Sequence, residues 1–333
     1  MNEMQIKNLS ESGFYLGQPL HAEIEETHIS WVLFTKQYAF KIKKPVRLSF
    51  LDFSTLSKRK KYCYQELKLN QRFSPIYFDV LPVYKDNDAW QIGDGHGKVV
   101  DYAVWMKRLL FSKRMDKLLM QNKVEKRNVV SLAKVISKFH SSAEVISTTF
   151  KIGSASKSFN DIRTIIGSTK NHLGTEYAAI IQRSIEWSNL FLKIHAPRMK
   201  ARIAEGFTRD VHGDLHSGNI FLYKEPVLFD CIEFNDQYRC IDVLNEIAFL
   251  CMDLEAYGKG SLAHIFKHAY QQYSHAFQEE EDERIFQYYK CFRANVRAKV
   301  HALAALQEHD DEQYQHHVSA WKNYLQLMQR YLK

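Results

Sequence analysis

The sequence has few cysteines and no long apolar run, and these two absences exclude several classes of protein. Its five cysteines are scattered without a CxxC pair, so neither a disulfide framework nor a zinc site follows from them. No stretch approaches 18 uninterrupted apolar residues, so no transmembrane helix is expected. The first residues, MNEMQIKNLSESG, are polar where a signal peptide needs an apolar run. We therefore expect a soluble, cytoplasmic protein with free thiols.

Internal repeats and long low-complexity tracts are missing too, and the composition is that of a packed globular protein. The chain has 333 residues, 45% of them hydrophobic, which suits one large two-lobed domain or two domains. Its formal net charge of +8 is compatible with nucleic acid, an anionic membrane surface or an anionic substrate. Because no RNA-binding motif or periodic basic-aromatic pattern is present, we expect neither a nucleic-acid nor a membrane partner.

The first hundred residues predict a small lobe that is rich in β-strand. Short β-branched or aromatic runs bounded by polar turns predict five strands, at Ile29–Phe34, Tyr38–Ile42, Phe78–Tyr84, Trp90–Ile92 and Val99–Lys107. One long helix is predicted among them, from Ser54 to Arg72, with Ser54 or Thr55 as its cap.

The remainder of the chain is predicted to be mostly helical. Helices are expected over Val129–Ser142, Asp161–Leu173 and Tyr177–Arg198, and again from Asp242 to the end. A single strand-like segment, Ile220–Leu228, interrupts them. This order of elements predicts an α+β protein with an N-lobe over residues 1–107 and a C-lobe over residues 108–333. A groove between the two lobes is the expected place for a ligand.

The stretch with the most chemical information is His212-Gly-Asp-Leu-His-Ser-Gly-Asn219, which leads into two short apolar runs ending at Asp230. If these runs form an antiparallel hairpin, Asn219 enters its first strand and Asp230 leaves its second, so both lie at the same end. Asp214 is on the loop leading in, five residues before Asn219. We therefore expect three oxygen-bearing side chains to converge at the mouth of the hairpin.

This set of side chains suits phosphoryl transfer. Magnesium prefers a few carboxylate or amide oxygens together with phosphate oxygens, which points to Asn219 and Asp230 as metal ligands. Phosphoryl transfer also needs a carboxylate within reach of the attacking hydroxyl, which points to Asp214. The structural alternative is a turn rich in Asp and Asn that only caps local backbone groups.

The same stretch resembles a known family. His212-Gly-Asp-Leu-His-Ser-Gly-Asn219 is similar to the catalytic loop of aminoglycoside-phosphotransferase-like and choline-kinase-like enzymes, which are relatives of the protein kinases. The run from Phe229 through Asp236 is similar to that of an uncharacterised bacterial branch of this group. The resemblance implies a two-lobed protein-kinase-like fold, with ATP and Mg²⁺ as cofactors and Asp214 as the catalytic carboxylate.

The resemblance also implies a nucleotide-binding lysine and its glutamate partner. Lys41, in Tyr-Ala-Phe-Lys, fits the lysine that holds the α- and β-phosphates, and Glu66 fits the glutamate on the following helix. Lys43 lies on the same strand face, because side chains alternate with period two, and it is the other candidate. We favour Lys41.

Further residues receive supporting roles. The resemblance implies that Asp242 braces the catalytic loop through backbone hydrogen bonds, although the sequence alone equally predicts it as a helix N-cap. We expect His212 to hold the shape of the loop rather than to react. Glu233 is close enough to Asp230 in the sequence to contact a second metal ion or the substrate.

Departures from the family pattern leave a second function open. No G-x-G-x-x-G loop precedes Lys41, since Glu25–Ser30 occupies its place. The first reading is a kinase that phosphorylates a hydroxyl group of a small molecule. The alternative is a nucleotide-binding regulatory protein that has lost turnover. A metallophosphoesterase would need an upstream D-x-H together with a downstream G-N-H, and the sequence has no G-N-H.

The sequence gives only a weak indication of the identity of the acceptor. Arg293 and Arg297 are four residues apart on a late predicted helix and therefore share a face. They could bind an anionic acceptor, such as a phosphorylated or carboxylated metabolite, or form salt bridges with neighbouring helices.

Overall fold

The computed structural model describes residues 1–48, 51–87 and 89–332 of the chain. The backbone divides into two units. The first comprises Met1–Arg114 with the later segment Val227–Tyr238, and the second comprises Met115–Pro226 with the residues from Arg239 onward. The first unit thus continues past residue 107, where the sequence places the lobe boundary, and it includes Asp230.

The first unit contains one helix before its strands and one helix among them. Its elements are α1 (Glu3–Ser12), β1 (Phe14–Tyr15), β2 (Gln18–Pro19), β3 (Glu23–Glu26), β4 (Ser30–Phe34), β5 (Tyr38–Lys43), α2 (Leu56–Asn70), β6 (Tyr77–Asp86), β7 (Ala89–Ile92) and β8 (Lys98–Lys107).

These strands form one eight-stranded sheet in the order β2-β1-β7-β6-β8-β5-β4-β3. Strand β5 lies between β4 and β8 and is antiparallel to both, with Lys41 opposite Val32 and Val104. A strand with neighbours on both sides has its backbone hydrogen bonds satisfied along its length. The side chain of Lys41 therefore projects from a fixed position in the interior of the sheet.

Helix α2 begins where the sequence predicts a cap. The side chain of Thr55 accepts a hydrogen bond from the amide of Lys58, which satisfies one of the free donors of the first turn. Its buried residues recur every three or four positions and therefore share one face: Arg59, Cys63, Glu66, Leu69 and Asn70. This face carries Glu66, the predicted partner of Lys41.

The second unit is mainly helical. Its helices are α3 (Met115–Met120), α4 (Lys126–Ser142), α5 (Ile152–Asn160), α6 (Ile166–Leu173), α7 (Thr175–Ala204), α9 (Val243–Ala256), α10 (Gly260–Tyr273), α11 (Glu280–Ala305) and α12 (Asp311–Tyr331), and its strands are β9 (Thr208–Asp210), β10 (Ile220–Leu222) and β12 (Cys240–Asp242). Strand β11 (Pro226–Leu228) and helix α8 (Asp236–Arg239) lie at the two borders of the Val227–Tyr238 segment.

Helix α9 forms the centre of the second unit. All residues from Val243 to Leu254 are buried, so the helix is enclosed on every side, as expected for a helix that is apolar all round. It packs against α10, α11 and α12. Strands β9 and β12 pair in antiparallel register, with Thr208 opposite Asp242. The segment that follows β9 contains Asp214, and its start is thereby held near the start of α9.

The α+β fold class is confirmed, and most predicted elements are present with shifted ends. The five strands predicted in the first hundred residues correspond to β4 through β8, and the long helix corresponds to α2. Helix α1 and strands β1, β2 and β3 were not predicted, because their segments are short and have no clear hydrophobic period. In the part of the chain that the structure describes, no helix is long and apolar enough to span a membrane.

Candidate active site

In the second unit, the loop between β9 and β10 brings Asp214 and Asn219 into contact. The amide nitrogen Nδ2 of Asn219 donates to Oδ2 of Asp214 over 2.9 Å and to the carbonyl oxygen of Asp214 over 3.0 Å. These bonds orient the Asn219 amide, and its Oδ1 forms no hydrogen bond with a described residue. The Asp214 side chain remains 37% exposed, so a solute can reach its carboxylate.

Two histidines hold the shape of this loop, as the sequence predicts for His212. The Nδ1 atom of His212 accepts the amide hydrogen of Asp214 over 3.3 Å, and Nδ1 of His216 accepts that of Gly218 over 3.1 Å. Gly213 has a φ of 83°, in the left-handed region that favours glycine. A Cβ atom on Gly218 would lie 2.8 Å from the His216 ring, so the close packing of that ring also requires glycine.

Neighbouring side chains keep Asp214 ionised. Burial alone would raise the pKa of the Asp214 carboxyl, but His216 and Arg297 hold this pKa well below its usual value. The closest of these contacts is between Nε2 of His216 and Oδ2 of Asp214, at 3.4 Å. Asp214 is therefore a carboxylate at neutral pH and can accept a hydrogen bond from a hydroxyl group.

Two buried carboxylates on α9 brace the loop from behind. Glu246 accepts the amide hydrogens of His212, over 3.0 Å, and of Gly213, over 2.6 Å. Asp253 accepts that of Ser217 over 2.8 Å. Neither residue was predicted from the sequence. A usable signal existed, because an ionisable side chain in an otherwise apolar helix must find a partner when it is buried.

The predicted brace, Asp242, has a different role. Its carboxylate caps α9 through the amide of Leu244, over 2.8 Å, and forms two hydrogen bonds with Arg202 of 2.7 and 2.8 Å. Among the described residues, none of its hydrogen-bond partners is a backbone group of the loop. The N-cap prediction for Asp242 is therefore confirmed, whereas the prediction of a brace applies to Glu246 and Asp253.

In the first unit, Lys41 and Lys43 share the carboxylate of Glu66. The ammonium nitrogen Nζ of Lys41 lies 2.9 Å from Oε1 of Glu66 and 2.6 Å from Oδ1 of Asp230. That of Lys43 lies 2.6 Å from Oε2 of Glu66 and also pairs with Glu233. The prediction that both lysines lie on the same strand face is confirmed by these contacts.

The charges in this cluster stabilise one another. Burial favours the neutral amine, but Asp230 and Glu66 raise the pKa of Lys41 well above its usual value. Burial likewise favours the neutral carboxyl of Glu66, yet Lys41 and Lys43 lower its pKa to about 2. Burial raises the pKa of Glu233 despite the neighbouring ammonium of Lys43. Buried charges persist only when they are paired, and Lys43 and Glu66 are fully buried.

Some of these charged side chains are exposed to solvent and others are fully buried. The side chain of Lys41 is 12% exposed and that of Asp230 is 43% exposed, whereas the side chain of Lys43 has no exposed surface. Glu233 is likewise buried, 3% exposed, against Lys43. A ligand can therefore reach Lys41 and Asp230 but not Lys43.

The backbone of Asp230 has an unusual conformation that two side chains support. Its φ is 63°, in the left-handed region that non-glycine residues adopt infrequently and often at functional sites. The hydroxyl oxygen of Tyr77 accepts the amide hydrogen of Asp230 over 3.1 Å. The Oδ1 atom of Asn70 accepts that of Cys231 over 2.9 Å. Because Asn70 lies one turn after Glu66 on α2, this helix positions both Lys41 and the Asp230 segment.

The structure thus collects the predicted site residues into two groups, one in each unit. The first unit contains Lys41, Lys43, Glu66, Asp230 and Glu233 in one ion-pair cluster. The second contains His212, Asp214 and Asn219 in one hydrogen-bonded loop. Within residues 1–48, 51–87 and 89–332, no group of three or more His, Cys, Asp or Glu side chains is arranged to hold a metal ion.

The proteins that this chain resembles in sequence are uncharacterised. No family model matches the chain. It is 29% identical over 286 residues to uncharacterised proteins of Mycobacterium tuberculosis and Mycobacterium bovis, a match that covers 84% of this chain and 55% of each mycobacterial protein. The chain therefore spans about half the length of the curated relatives that it matches.

Comparison with solved structures shows the fold. A choline kinase from Cryptosporidium parvum matches with a TM-score of 0.56 and 13% identity, over 98% of this chain and 95% of that protein. A choline/ethanolamine kinase family protein from Mesorhizobium loti matches with a TM-score of 0.51 and 10% identity, over 98% and 99%. The GDP complex of an aminoglycoside 2′-phosphotransferase-IIIa mutant matches with a TM-score of 0.51 and 10% identity, over 91% and 90%. The chain has the kinase-like fold that these proteins share, which confirms the resemblance predicted from the His212–Asn219 motif.

Proposed function

We propose that the chain is an ATP-dependent phosphotransferase that acts on a hydroxyl group of a small molecule. The observation that carries this proposal is the Asp214 loop. It presents an accessible, ionised carboxylate beside an oriented Asn219 amide, and two buried carboxylates fix its backbone. The kinase-like fold supports the proposal, because its solved representatives include a choline kinase and an aminoglycoside phosphotransferase.

Asp214 is the proposed catalytic residue. Because its pKa is held low, its carboxylate orients the acceptor hydroxyl by accepting a hydrogen bond, and it takes the proton late in the reaction. The acceptor oxygen forms a new bond to the γ-phosphorus. The bond between that phosphorus and the oxygen bridging to the β-phosphate breaks, and ADP leaves. A loose transition state makes positioning and charge neutralisation more important than a strong base.

Lys41 is the proposed phosphate-binding lysine, with Glu66 as its positioning partner. Lys41 is partly exposed and close to the accessible Asp230, whereas Lys43 is enclosed by Glu66 and Glu233. A buried ammonium that already has two carboxylate partners has no free surface for a phosphate. Lys43 is therefore proposed to fix the position of Glu66, and Glu233 to fix that of Lys43.

Asn219 and Asp230 are the proposed magnesium ligands. In each of these side chains one oxygen, Oδ1 of Asn219 and Oδ2 of Asp230, forms no hydrogen bond with a described residue, which fits a role in metal binding. When bound, Mg²⁺ neutralises charge on the β- and γ-phosphates of ATP. The residues themselves contribute hard oxygen atoms, and Tyr77 and Asn70 hold the backbone that presents Asp230.

A regulatory protein that binds a nucleotide without turnover is the second candidate. One feature favours it: the segment Glu25–Ser30, which includes the turn that joins β3 to β4, contains no glycine to bring backbone amides close to a phosphate. The two candidates agree on nucleotide binding and differ on the role of Asp214.

The test compares thermal stabilisation by Mg-ATP and ATP hydrolysis in the wild type, Asp230→Asn and Asp214→Asn. Asparagine is suited to position 230 because it tolerates a left-handed backbone better than alanine does. We expect Mg-ATP to stabilise the wild type and Asp230→Asn to lose the magnesium-dependent part. Asp214→Asn should keep the stabilisation and lose about a hundredfold in turnover, which is typical for a general base.

The exposed Asp94→Asn, which makes the same chemical change outside both residue groups, is the matched control and should behave as the wild type does. If wild type and Asp214→Asn both bind Mg-ATP and hydrolyse it equally slowly, even with a library of hydroxylated metabolites, the regulatory candidate is correct. If Mg-ATP stabilises none of the variants, the phosphotransferase proposal is wrong.

A further inference from the structure

Two arginines of α11 lie close to the Asp214 loop, and no described carboxylate pairs with either of them. Arg293 is 7% exposed, and its Nη1 donates to the carbonyl oxygen of Gly213 over 3.1 Å. Its Nε donates to Oδ1 of Asn245 over 2.7 Å. Arg297 lies one turn further along the helix. Within residues 1–48, 51–87 and 89–332, neither arginine forms an ion pair with an acidic side chain.

Other buried arginines of the second unit do not share this property. Arg198 pairs with Asp282 at 2.8 Å, Arg202 with Asp242 at 2.7 Å, and Arg239 with Asp210 at 2.6 Å. A buried guanidinium is stable when a carboxylate compensates for lost hydration. Burial without such a partner lowers the pKa of Arg293 to about 10. Arg297 differs from Arg293, because Tyr324, Asp253 and Asp214 raise its pKa despite burial, so its guanidinium stays charged although no described acidic side chain pairs with it directly.

Arg297 has unused hydrogen-bonding capacity. Its Nε is buried and forms no hydrogen bond with a described residue, while its Nη2 lies 3.2 Å from Nε2 of His301. Its guanidinium carbon Cζ is 5.7 Å from the centre of the Tyr324 ring. An unpaired buried donor is destabilising, and an anionic ligand that accepts its hydrogen bond would remove that cost. A planar guanidinium also matches a phosphate or carboxylate in two-point hydrogen bonding.

The carboxylates around these arginines already have other partners. Glu246 and Asp253 accept backbone amides of the loop, and Asp214 contacts Asn219 and His216. Arg297 nevertheless acts electrostatically on Asp214, where it helps to lower the pKa of that carboxyl. The positive charge thus lies close to the proposed hydroxyl-binding carboxylate, and the accessible Asp214 side chain shows that a solute can enter this region.

We infer that the acceptor is anionic and carries a phosphate or carboxylate group that Arg297 binds while its hydroxyl group lies at Asp214. This inference rests on the proposed phosphotransferase function and adds the chemical class of the acceptor. Arg293 positions the loop and leaves Arg297 to contact the ligand. The acceptor must therefore bear both a hydroxyl group and an anionic group a few bonds away.

Inorganic phosphate and acetate are the probes, added to protein saturated with Mg²⁺ and a non-hydrolysable ATP analogue so that the nucleotide-phosphate site is filled. The melting temperature is titrated against each anion, with sodium chloride at matched ionic strength as the reference. Ligand binding to the native state raises the melting temperature with a midpoint that reports affinity. We expect a saturable shift in the wild type, and the anion with the lower midpoint identifies the group that the acceptor carries.

Arg297→Gln should raise the midpoint at least tenfold, and Arg297→Lys should restore part of the affinity. Arg284→Gln, which removes an exposed arginine from the same helix, is the matched control and should leave the midpoint unchanged. Non-specific stabilisation by phosphate is common to all variants and does not saturate. Circular dichroism and stabilisation by the nucleotide analogue confirm that each variant is folded.

Three results would overturn the inference: no saturable shift in the wild type, the same midpoint in Arg297→Gln, or an equal loss in Arg284→Gln. The failure of the proposed function is distinguishable from these. In that case the nucleotide analogue itself would not stabilise the wild type. The anion titration would then be carried out without the analogue on the Lys41→Met variant, which lacks the proposed phosphate-binding lysine.

Discussion

The ammonium of Lys41 lies 2.6 Å from Oδ1 of Asp230, although 189 residues separate them in the sequence. The same ammonium lies 2.9 Å from Glu66, which also receives Lys43. Lys41 and Lys43 are two residues apart on β5 and share a glutamate, yet only Lys41 has exposed surface. The geometry of one strand and one helix thus separates a lysine that can reach a ligand from a lysine that stabilises the site.

Replacement of Lys43 should therefore mainly reduce stability, whereas replacement of Lys41 should mainly reduce nucleotide binding. Lys43→Met leaves Glu66 and Glu233 with fewer cationic partners in a buried site, and we expect the free energy of unfolding to fall by about 3 to 5 kcal/mol. Lys41→Met leaves Glu66 paired with Lys43, so unfolding should become easier by only about 2 kcal/mol, but stabilisation by Mg-ATP should be lost. Urea unfolding with and without Mg-ATP measures both quantities.

The double variant Lys43→Met/Glu233→Gln is the control for this prediction. It removes a buried positive charge together with a buried negative charge, and it should be more stable than Lys43→Met alone because the two effects are coupled. Equal losses of stability in Lys41→Met and Lys43→Met would contradict the assigned division of roles.

Glu246 is expected to act on turnover through the loop backbone. Glu246→Gln replaces a carboxylate that accepts the amides of His212 and Gly213, and the new NH₂ group cannot accept them. We expect about 2 kcal/mol less stability and a lower kcat with little change in the KM for ATP, because the defect displaces Asp214 rather than the nucleotide. Steady-state kinetics with an identified acceptor measures the split.

Glu255→Gln is a suitable comparison, because Glu255 lies on the same helix and pairs with Lys290 without contacting the loop. It should reduce stability and leave kcat unchanged. A parallel decline of kcat in both variants would mean that the Glu246 effect is a general loss of structure.

His301 should contribute a pH dependence of stability. Burial and the adjacent Arg297 lower the pKa of His301 to about 3, from 6.5 in the unfolded chain. The unfolded chain therefore binds a proton below pH 6.5 that the folded protein does not bind. The contribution of this group is fully present above pH 6.5 and is lost as the pH falls towards 3, by at most about 1.4 kcal/mol per pH unit.

The His301→Gln variant removes this titration, so its free energy of unfolding should depend less on pH between 6.5 and 4.5 than that of the wild type. Within this pH range most carboxylates are ionised, so they contribute little to the pH dependence of the free energy of unfolding. Chemical unfolding at a series of pH values measures the two slopes, and identical slopes would show that His301 is protonated in the folded protein as easily as in the unfolded one.

Local patterns predicted the parts of the protein whose structure depends on neighbouring residues. Alternation placed Lys41 and Lys43 on one face of β5, and the hydroxyl of Thr55 marked the start of α2. The spacing of Asp214 and Asn219 identified a turn that brings an amide to a carboxylate. The resemblance of this motif to known phosphotransferases supplied the fold, which the solved structures confirm.

The partners of buried charges could not be predicted from local sequence patterns, because each charge has several acceptable partners. The resemblance implied Asp242 as the brace of the loop, and only the packing of α9 decides that Glu246 and Asp253 accept its amides while Asp242 pairs with Arg202. The assignment of Glu233 to the metal or substrate region was open for the same reason. Its carboxylate is buried against Lys43 instead.

The sequence by itself determined the strand and helix that carry Lys41 and Glu66, and the loop that carries Asp214 and Asn219, because periodicity, caps and glycines act over a few residues. The tertiary structure alone decided that Lys41 is accessible whereas Lys43 is enclosed, that Tyr77 and Asn70 hold the Asp230 segment, and that no described acidic side chain forms an ion pair with Arg297. These features depend on which distant side chains meet in a low-dielectric interior, where each charge must be compensated.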